Sequence, residues 1–437
     1  MKYSIIHLTL FVLLPTFRLQ AQEYVQITKS EVLGKVAEVN TNIKIAEQEF
    51  MKAKADYRQT NAVFLPNIAA SHMGIATTNP LMAFGSKLNQ EILIQSDFNP
   101  NMLNNPSQIE NYATKFEIQQ PLINVDGIFQ RRAAKSKMDA LALQQLRTSD
   151  HLMLEANKAY MQLQLAYKTA EVLEKALQTA FANKKIADDH FKQGFLQYAD
   201  VLNTDVRVSE IKTQLQTAHS QIQNASNYLS FLMNDNKYAT YLPIDSLIVN
   251  SVQFEAPKTV SENRSDIKAM SYVTKAYEAM NKADRMAFLP RLNAFGSYEL
   301  YDDKLFQGDA NGYLFGARLS WDIFNGGKRF GKEQKSMAEF QKSKLEYQRY
   351  VSQSQLEFKK AKRMYMDTQN RLHLAELTLQ QSEEALKIRT NRFKEGLEKT
   401  SDLLLSESQY AQKQLAYYQT VFEHNYIQAY LQFLTKE

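Results

Sequence analysis

The chain has 437 residues with only 13 Gly and 9 Pro, and its net charge of +5 is spread along the sequence. An average protein of this length has about twice as many of these helix breakers, so the composition favours long helices. The dispersed charge indicates no nucleic-acid surface. The sequence contains no Cys, which excludes disulfides, thiolate metal sites and lipidation of a Cys.

Residues 1–21 are predicted to be a secretory signal peptide. Lys2 gives a basic start, residues 5–14 are mostly apolar, and Ala21 is a small residue at the expected cleavage position. A membrane anchor is the alternative, but the apolar run has only about ten residues and a spanning helix needs about 20. No other segment approaches such a helix, so a mature chain that crosses a membrane must do so with strands.

The first predicted helix begins after a capping-box candidate at Thr28 and Glu31. Its apolar residues alternate spacings of four and three, as in a coiled coil. They are Val32, Val36, Val39, Ile43, Ala46, Phe50, Ala53 and Tyr57. The pattern predicts one helix with a single buried seam, and the same rhythm continues in the helices that follow residue 150.

Period-two alternation predicts strands with one apolar and one polar face. In the first, Tyr112, Thr114, Phe116 and Ile118 alternate with Ala113, Lys115, Glu117 and Gln119. In the second, Tyr313, Phe315, Ala317, Leu319, Trp321 and Ile323 alternate with Gly316, Arg318, Ser320 and Asp322. Segments 66–77 and 291–301 are the predicted partners, and residues 79–106, rich in Asn and Pro, are predicted to be a loop. Such faces suit a membrane barrel, although a soluble sandwich shows the same alternation.

These four strands cannot close a barrel by themselves, because about eight are the practical minimum. Open edges in lipid would leave backbone groups unpaired at several kcal/mol each. A barrel must therefore be assembled from several chains, and two, three or more copies all satisfy this requirement.

Long helical hairpins follow each strand pair. Residues 128–193 and 332–395 contain no Gly or Pro, and the first stretch corresponds to on the order of 100 Å of helix. Gly194 and Gly396 end these helices, where a positive φ is easily adopted by glycine. Asp200 and Asp402 open the return helices as N-cap or first-turn carboxylates.

The chain contains two copies of one unit. Phe64-Leu65-Pro66 recurs as Phe288-Leu289-Pro290 at an offset of 224, whereas the motifs Phe-Lys-x-Gly and Asp-x-Leu recur at an offset of 202. The first copy therefore carries a 22-residue insertion, assigned to 79–106. The predicted organisation is a first repeat at 22–240, a linker at 241–262 and a second repeat at 263–437.

No catalytic or metal site is predicted. The seven His residues show no ligand spacing, and the nearest approach to a motif is the glycine- and lysine-containing turn 326–332, which resembles a phosphate-binding loop. The next residue is Glu333, where such a loop needs Ser or Thr to hold magnesium. A strand-to-helix turn is the favoured interpretation. The hairpin tips remain as functional candidates, where carboxylates around an aperture would favour cations.

Together these motifs resemble the TolC-type outer-membrane efflux proteins over essentially the full mature length. The resemblance rests on the repeated Phe-Leu-Pro, on the strand-to-helix turns 121–127 and 321–327, and on the two tip motifs. Arg264-Ser265-Asp266 stands where the family commonly has Arg-Pro-Asp. The resemblance implies a mainly α fold with a small transmembrane β portion. Four strands and long coiled-coil helices per chain would close as a homotrimer in the outer membrane, with a helical extension in the periplasm.

In this family the hairpin tips contact a periplasmic adaptor. The resemblance implies that role for Gly194, Asp200, Leu202, Gly396, Asp402 and Leu404, and a place at the periplasmic aperture for Asp402. Relatives often carry a second Asp three residues further on, where this chain has Leu405, which puts a double acidic ring in question.

The leading hypothesis is a passive exit channel of a tripartite efflux system, without catalysis or cofactor, that works with a periplasmic adaptor and an inner-membrane transporter. A type I-like protein secretion duct would use the same architecture. A coiled-coil envelope scaffold and a nucleotide-dependent enzyme are the alternatives from other classes.

Overall fold

A computed structural model describes residues 24–236, 239–250 and 259–437. The chain is about 70% helical, with a small strand portion. The predicted signal peptide lies outside the described residues, as does part of the predicted linker, and the division into two repeats and a linker stays a prediction.

The elements follow one another in the order helix, strand pair, long helical hairpin, twice over. The helices are α1 (Lys29–Val39), α2 (Thr41–Gln59), α3 (Pro80–Asn89), α4 (Pro100–Asn104), α5 (Val125–Lys192), α6 (Tyr198–Leu232), α7 (Ser265–Met286), α8 (Lys328–Lys394) and α9 (Thr400–Thr435). The strands are β1 (Tyr24–Ile27), β2 (Asn67–Thr77), β3 (Ile109–Ile123), β4 (Thr240–Pro243), β5 (Arg291–Asp302) and β6 (Ala310–Ser320). Among these helices, none combines the length and the apolar character that a membrane crossing requires.

Contacts group the chain into two units. The hairpin unit contains the described residues of Met1–Asn40, Leu152–Phe254 and Arg363–Tyr430. The sheet unit contains the described residues of Thr41–His151, Glu255–Lys362 and Leu431–Glu437.

In the hairpin unit, small and aliphatic side chains of the helices form the core. The seam of α5 is buried at positions separated by three and four residues, namely Leu152, Ala156, Ala159, Leu163, Ala166 and Ala170, as the heptad pattern predicts. A parallel pair of short strands, β1 and β4, was not predicted from the sequence. The hydroxyl of the buried Tyr160 lies beside it, 3.2 Å from the Ile27 carbonyl oxygen and 3.0 Å from the Asp245 carboxylate.

The first helix is interrupted at Asn40, so the prediction of one continuous helix is wrong. The capping box at its start is confirmed, because the Glu31 amide donates to the Thr28 hydroxyl and the Glu31 carboxylate accepts from the Thr28 amide. Asn40 has ψ 127° and separates α1 from α2. Its buried side-chain amide donates to the Leu232 carbonyl at 2.8 Å. Asn side chains compete with helical backbone bonds in this way.

The sheet unit contains an antiparallel sheet in the order β2-β3-β5-β6. The four predicted strands are confirmed, although Trp321 and Ile323 lie beyond the end of β6 and were wrongly assigned to it. Ser320 pairs with Arg291, the first residue of β5. The preceding residue, Pro290, has no N–H to offer the ladder, so residues after Ser320 leave the sheet.

The insertion at 79–106 is folded rather than an irregular loop, contrary to the prediction. It contains α3, a short 3₁₀ turn at Gln95–Phe98 and α4. Asn79 caps α3 by accepting from the Met82 amide at 3.2 Å, and Asn99 caps α4 by accepting from the Asn101 amide at 2.9 Å. Each Asn is followed by a Pro at the first helical position, which suits a helix start.

Buried charges fix the start of α7. Arg264 Nε and Nη2 lie 2.6 and 2.9 Å from the two carboxylate oxygens of Asp266. Arg147 Nε lies 3.1 Å from the Oδ2 of Asp266, and the Tyr350 hydroxyl donates to that oxygen at 2.8 Å. Both arginines and the aspartate are buried. Within the motif Arg264-Ser265-Asp266, the first and last residues therefore form a buried ion pair that stabilises the fold.

Candidate functional site

The two hairpin tips end their ascending helices in the same way. At the first, Gly194 has φ +82°, its amide donates to the Phe191 carbonyl, and the Phe195 amide donates to the His190 carbonyl. At the second, Gly396 has φ +71° and equivalent bonds run to the carbonyls of the preceding turn. These bonds define a Schellman motif, in which glycine tolerates the left-handed conformation. The prediction of a positive φ at both glycines is confirmed.

Both predicted aspartates lie in the first turn of a return helix. Asp200 follows the N-cap residue Gln197 of α6, and its Oδ2 accepts from the Gln197 amide at 3.2 Å. Asp402 occupies the first turn of α9. Negative charge is favourable at this end of a helix, because the unpaired amides give it a partial positive charge. The predicted placement of both carboxylates in the first turn of the return helices is thus confirmed.

The tips differ in how they use the repeated phenylalanine. Phe393 is only 1% exposed and packs with Ala187 and Leu403, whereas its counterpart Phe191 is 40% exposed. The partly buried residues around this cluster are Ile186, Leu196 and Leu386. The cluster joins the two hairpins near their tips, and the second hairpin supplies its one aromatic core residue.

The second tip carries a network of charges. Arg389 and Arg392 donate to the two carboxylate oxygens of Glu398 at 2.8 and 2.9 Å. Arg389 Nη1 also lies 3.9 Å from the Oδ2 of Asp402. At the offset of 202 residues, the first tip has Ala187, His190 and Leu196 in place of Arg389, Arg392 and Glu398. Ion pairs therefore link the end of α8 to the residues that follow Gly396 at the second tip. The charge of Asp402 is partly balanced by Arg389.

The first tip lacks this network and exposes aromatic side chains, whereas the second tip exposes Leu397 at the position equivalent to Phe195. Phe195 and Tyr198 lie at the tip, with 73% and 60% of their surface exposed, and Leu202 follows one turn into α6. At the second tip Leu404 is partly buried and the neighbouring Leu405 is exposed. The structure thus brings the predicted residues of each tip together. Sequence reasoning missed the Arg389–Arg392–Glu398 network and the aromatic residues Phe195 and Tyr198.

A buried carboxylate lies a few turns inside the second hairpin. Glu407 is 5% exposed, and its Oε1 accepts from the Asn183 side chain at 2.7 Å. Burial raises the pKa of Glu407, although the Asn183 hydrogen bond and the charge of Arg207 act in the opposite direction. A cavity of about 60 Å³ is lined by Glu407, Arg207 and Tyr410, which is large enough for a few water molecules.

Glu407→Gln is expected to stabilise the protein at neutral pH. Because the pKa of Glu407 is raised on folding, its unfavourable ionisation weakens the fold as the pH rises above the ordinary Glu value of about 4.3. Glutamine stays neutral and can still accept from Asn183. In thermal unfolding at pH 4 and pH 8, the variant should have a higher unfolding temperature than the wild type only at pH 8.

The matched control for this prediction is Asp205→Asn, at the equivalent position of the first hairpin. Asp205 is half exposed and forms an ion pair with Lys184. Removal of its charge is therefore expected to bring no gain in stability at either pH. A pH-independent effect of Glu407→Gln would contradict the prediction.

The sheet has two chemically different faces. On one face Lys115 Nζ lies 2.6 Å from the Glu117 carboxylate and 3.3 Å from that of Glu299 on the neighbouring strand. The opposite face carries Ile68, Phe116, Ile118, Tyr298, Tyr313, Phe315 and Leu319, all of them exposed. Tyr313 and Phe315 are 76% and 77% exposed. The alternation read from the sequence is therefore clear on the apolar face, whereas the face of Lys115 also carries the exposed Met73 and Leu314.

The turn before α8 is a structural turn, as expected. Gly326 and Gly327 both have positive φ, and α8 begins at the next residue. Glu333, which occupies the position that a phosphate loop needs for Ser or Thr, accepts from Arg285 at 2.9 Å. Across residues 24–236, 239–250 and 259–437, no cluster of His, Asp or Glu side chains could hold a metal ion.

Comparison with known proteins gives a consistent picture. The sequence profile of the outer membrane efflux protein family matches residues 32–235 and 256–432. A search among proteins of curated function gave no significant match.

Several solved structures share the fold. The CmeC outer membrane channel of Campylobacter jejuni matches with a TM-score of 0.80 at 16% identity, over 93% of this chain and 85% of that one. A membrane protein from Pseudomonas aeruginosa matches with a TM-score of 0.82 at 18% identity, over 93% of both chains. The outer membrane protein VceC of Vibrio cholerae matches with a TM-score of 0.79 at 16% identity, over 93% and 96%.

Proposed function

Because this chain belongs to the outer membrane efflux protein family, we propose that it is the outer-membrane exit channel of a tripartite efflux system. An inner-membrane transporter delivers the substrate through a periplasmic adaptor. The channel then conducts the substrate passively, with no catalysis or cofactor of its own.

The observation that carries this proposal is the two-faced sheet. The exposed aromatic and aliphatic face needs an apolar surrounding, which lipid supplies, and the face with Lys115, Glu117 and Glu299 suits a water-filled passage. The strands β2 and β6 are the edges of the sheet, and their backbone groups need further strands in a membrane. Three copies around one axis would supply these strands, and a homotrimer is part of the proposal.

The hairpin tips are the proposed docking points for the adaptor. Residues Gly194, Asp200, Leu202, Gly396, Asp402 and Leu404 lie at the ends of the two hairpins. The exposed Phe195 and Tyr198 add apolar surface at the first tip. Asp402 is proposed to line the periplasmic aperture, with its charge moderated by Arg389.

The proposal predicts that the full chain fractionates with outer membranes as a heat-modifiable oligomer. Purified in detergent and inserted into planar lipid bilayers, it should produce discrete conductance steps. A soluble monomer, or a membrane protein that never conducts, would exclude the channel.

The proposed docking of the adaptor can be tested in cells with a photocrosslinking residue in place of Leu202 or Leu404. The expected product is a crosslink to a periplasmic adaptor. The control position is Leu374, an exposed leucine on α8 within the hairpin unit. Conductance without any tip-specific crosslink would leave the channel in place and remove the tips as the docking site.

A further inference from the structure

The insertion 79–106 lies at the end of the sheet away from the helical connections. Thr77 pairs with Ile109, and Tyr301 pairs with Ala310, so the insertion and the short connection 303–309 share one end of the sheet. The strands join the helical segments at the opposite end, where Asn67 pairs with Gln119 and Arg291 with Ser320. In an outer-membrane channel whose helices lie in the periplasm, the insertion stands at the outer mouth.

The insertion is held together by its own contacts. Lys87 Nζ lies 2.7 Å from the carboxylate of the buried Asp97, whose other oxygen accepts from the Ile94 amide at 3.0 Å. The rings of Phe84 and Phe98 meet edge to face with centroids 5.8 Å apart. An ion pair with little exposure to water and an aromatic contact favour one folded arrangement over a flexible loop.

Gln90 attaches the insertion to the strand ends. Its side-chain nitrogen lies 2.8 Å from the Glu110 carbonyl oxygen, 2.8 Å from Asn111 Oδ1 and 3.2 Å from the Asp302 carbonyl oxygen. These acceptors belong to β3 and β5, and α3 also contacts β6. Gln90 is buried, and so are Ser86 and Ala83, one and two turns earlier on α3. This helix therefore lies across three strand ends with one face against them.

The side of the sheet that the insertion covers follows from the strand period. Asn111 points to the same face as Ala113 and Lys115, because side chains alternate along β3. This is the polar face, which carries the Lys115–Glu299 pair. The contact of Gln90 with Asn111 thus brings α3 over the polar side of the mouth and away from the aromatic side.

We propose that residues 79–106 form a lid over the outer mouth of the channel, with Gln90 as its latch. This rests on the proposed channel function. The lid narrows the passage at rest, and the bonds of Gln90 to the ends of β3 and β5 must open before a bulky substrate leaves. The second repeat has only the connection 303–309 at this place, so each chain carries one lid.

The test replaces residues 79–106 with the connection 303–309 in the full-length protein. The replacement is compatible with the sheet because Thr77 and Ile109 are directly paired and need only a short turn between them. A second variant, Gln90→Ala, removes the latch and keeps the insertion. Gln95→Ala, an exposed residue of the same insertion, is the matched control. All variants are compared with the wild type by single-channel conductance in planar bilayers.

The expected result is a severalfold rise in conductance for the loop replacement, a smaller rise for Gln90→Ala and no change for Gln95→Ala. Variants that reach the outer membrane as wild-type oligomers and conduct like the wild type would overturn the lid and leave the channel standing. If the wild type itself makes no channels, the proposed function fails and the lid fails with it.

Discussion

Replacing Asp266 by Ala is expected to destabilise the protein by about 3–5 kcal/mol, because it leaves two buried arginines without their carboxylate. Arg264 and Arg147 both contact Asp266, and Tyr350 also loses its acceptor. The measurement is thermal or denaturant unfolding of the detergent-solubilised protein. Since the cluster fixes the start of α7, hydrogen exchange in residues 265–286 should rise together with the loss of stability.

The pH dependence of this effect has a definite sign. Burial acts to raise the pKa of Asp266, but the hydrogen bonds from Arg264 and Tyr350 and the charge of Arg147 outweigh it and lower the pKa. A lowered carboxyl pKa stabilises the fold above the unfolded value of about 3.9, and the contribution disappears as the pH falls below it. The difference in the free energy of unfolding between wild type and Asp266→Ala should therefore become smaller at acidic pH.

Glu278→Ala is the matched control on the same helix. Glu278 forms an ion pair with Lys282 in which both side chains are about half exposed, and such pairs contribute about 0.2–0.5 kcal/mol. If Glu278→Ala and Asp266→Ala lost the same amount of stability, the assignment of Asp266 as the residue that fixes the start of α7 would be contradicted.

Phe393→Ala is expected to remove about 3–5 kcal/mol of packing from the junction between the two hairpins. Phe393 is nearly fully buried between Ala187 and Leu403, and neighbouring side chains close such a cavity only in part. The effect is concentrated near the tips, so hydrogen exchange and limited proteolysis around residues 386–403 report it best. The proposed crosslinking of the tips to an adaptor should fall in cells as well.

Phe191→Ala provides the control, since it changes the same motif in the other hairpin. Phe191 is 40% exposed and makes one tilted ring contact with Tyr198 at 5.8 Å. A partly exposed ring contributes much less to stability than a buried one. If the amide hydrogens at the tips exchange equally fast in both variants, the assignment of unequal packing to the two phenylalanines is wrong.

Much of the architecture could be predicted because its signals are local. Period-two alternation located β3 and β6 close to their observed positions, and Gly194 and Gly396 marked the ends of the long helices. The starts of α3 and α4 were also readable, since Asn79-Pro80 and Asn99-Pro100 are helix-start signals as well as loop signals. The same dipeptides occur in both settings, so they do not by themselves separate a short helix from a loop.

Other features depend on residues far away in the chain. Asn40 interrupts the first helix because its amide reaches the Leu232 carbonyl, 192 residues further on. The pairing of Tyr24 with Thr240 joins two four-residue strands that carry little signal of their own. The motif Phe-Lys-x-Gly reads identically in both hairpins, so it could not reveal that Phe393 is buried and Phe191 is partly exposed.

The unequal burial of these two phenylalanines gives the two hairpins a different tolerance to substitution at the same position of the motif. The junction with Ala187 and Leu403 depends on the ring of Phe393. Phe191 and the nearby Phe195 and Tyr198 are exposed, so a substitution there removes less packing than the substitution of a buried ring. Substitutions among these three residues therefore change the exposed surface of the first tip, whereas a change at Phe393 disturbs the packing of both hairpins at once.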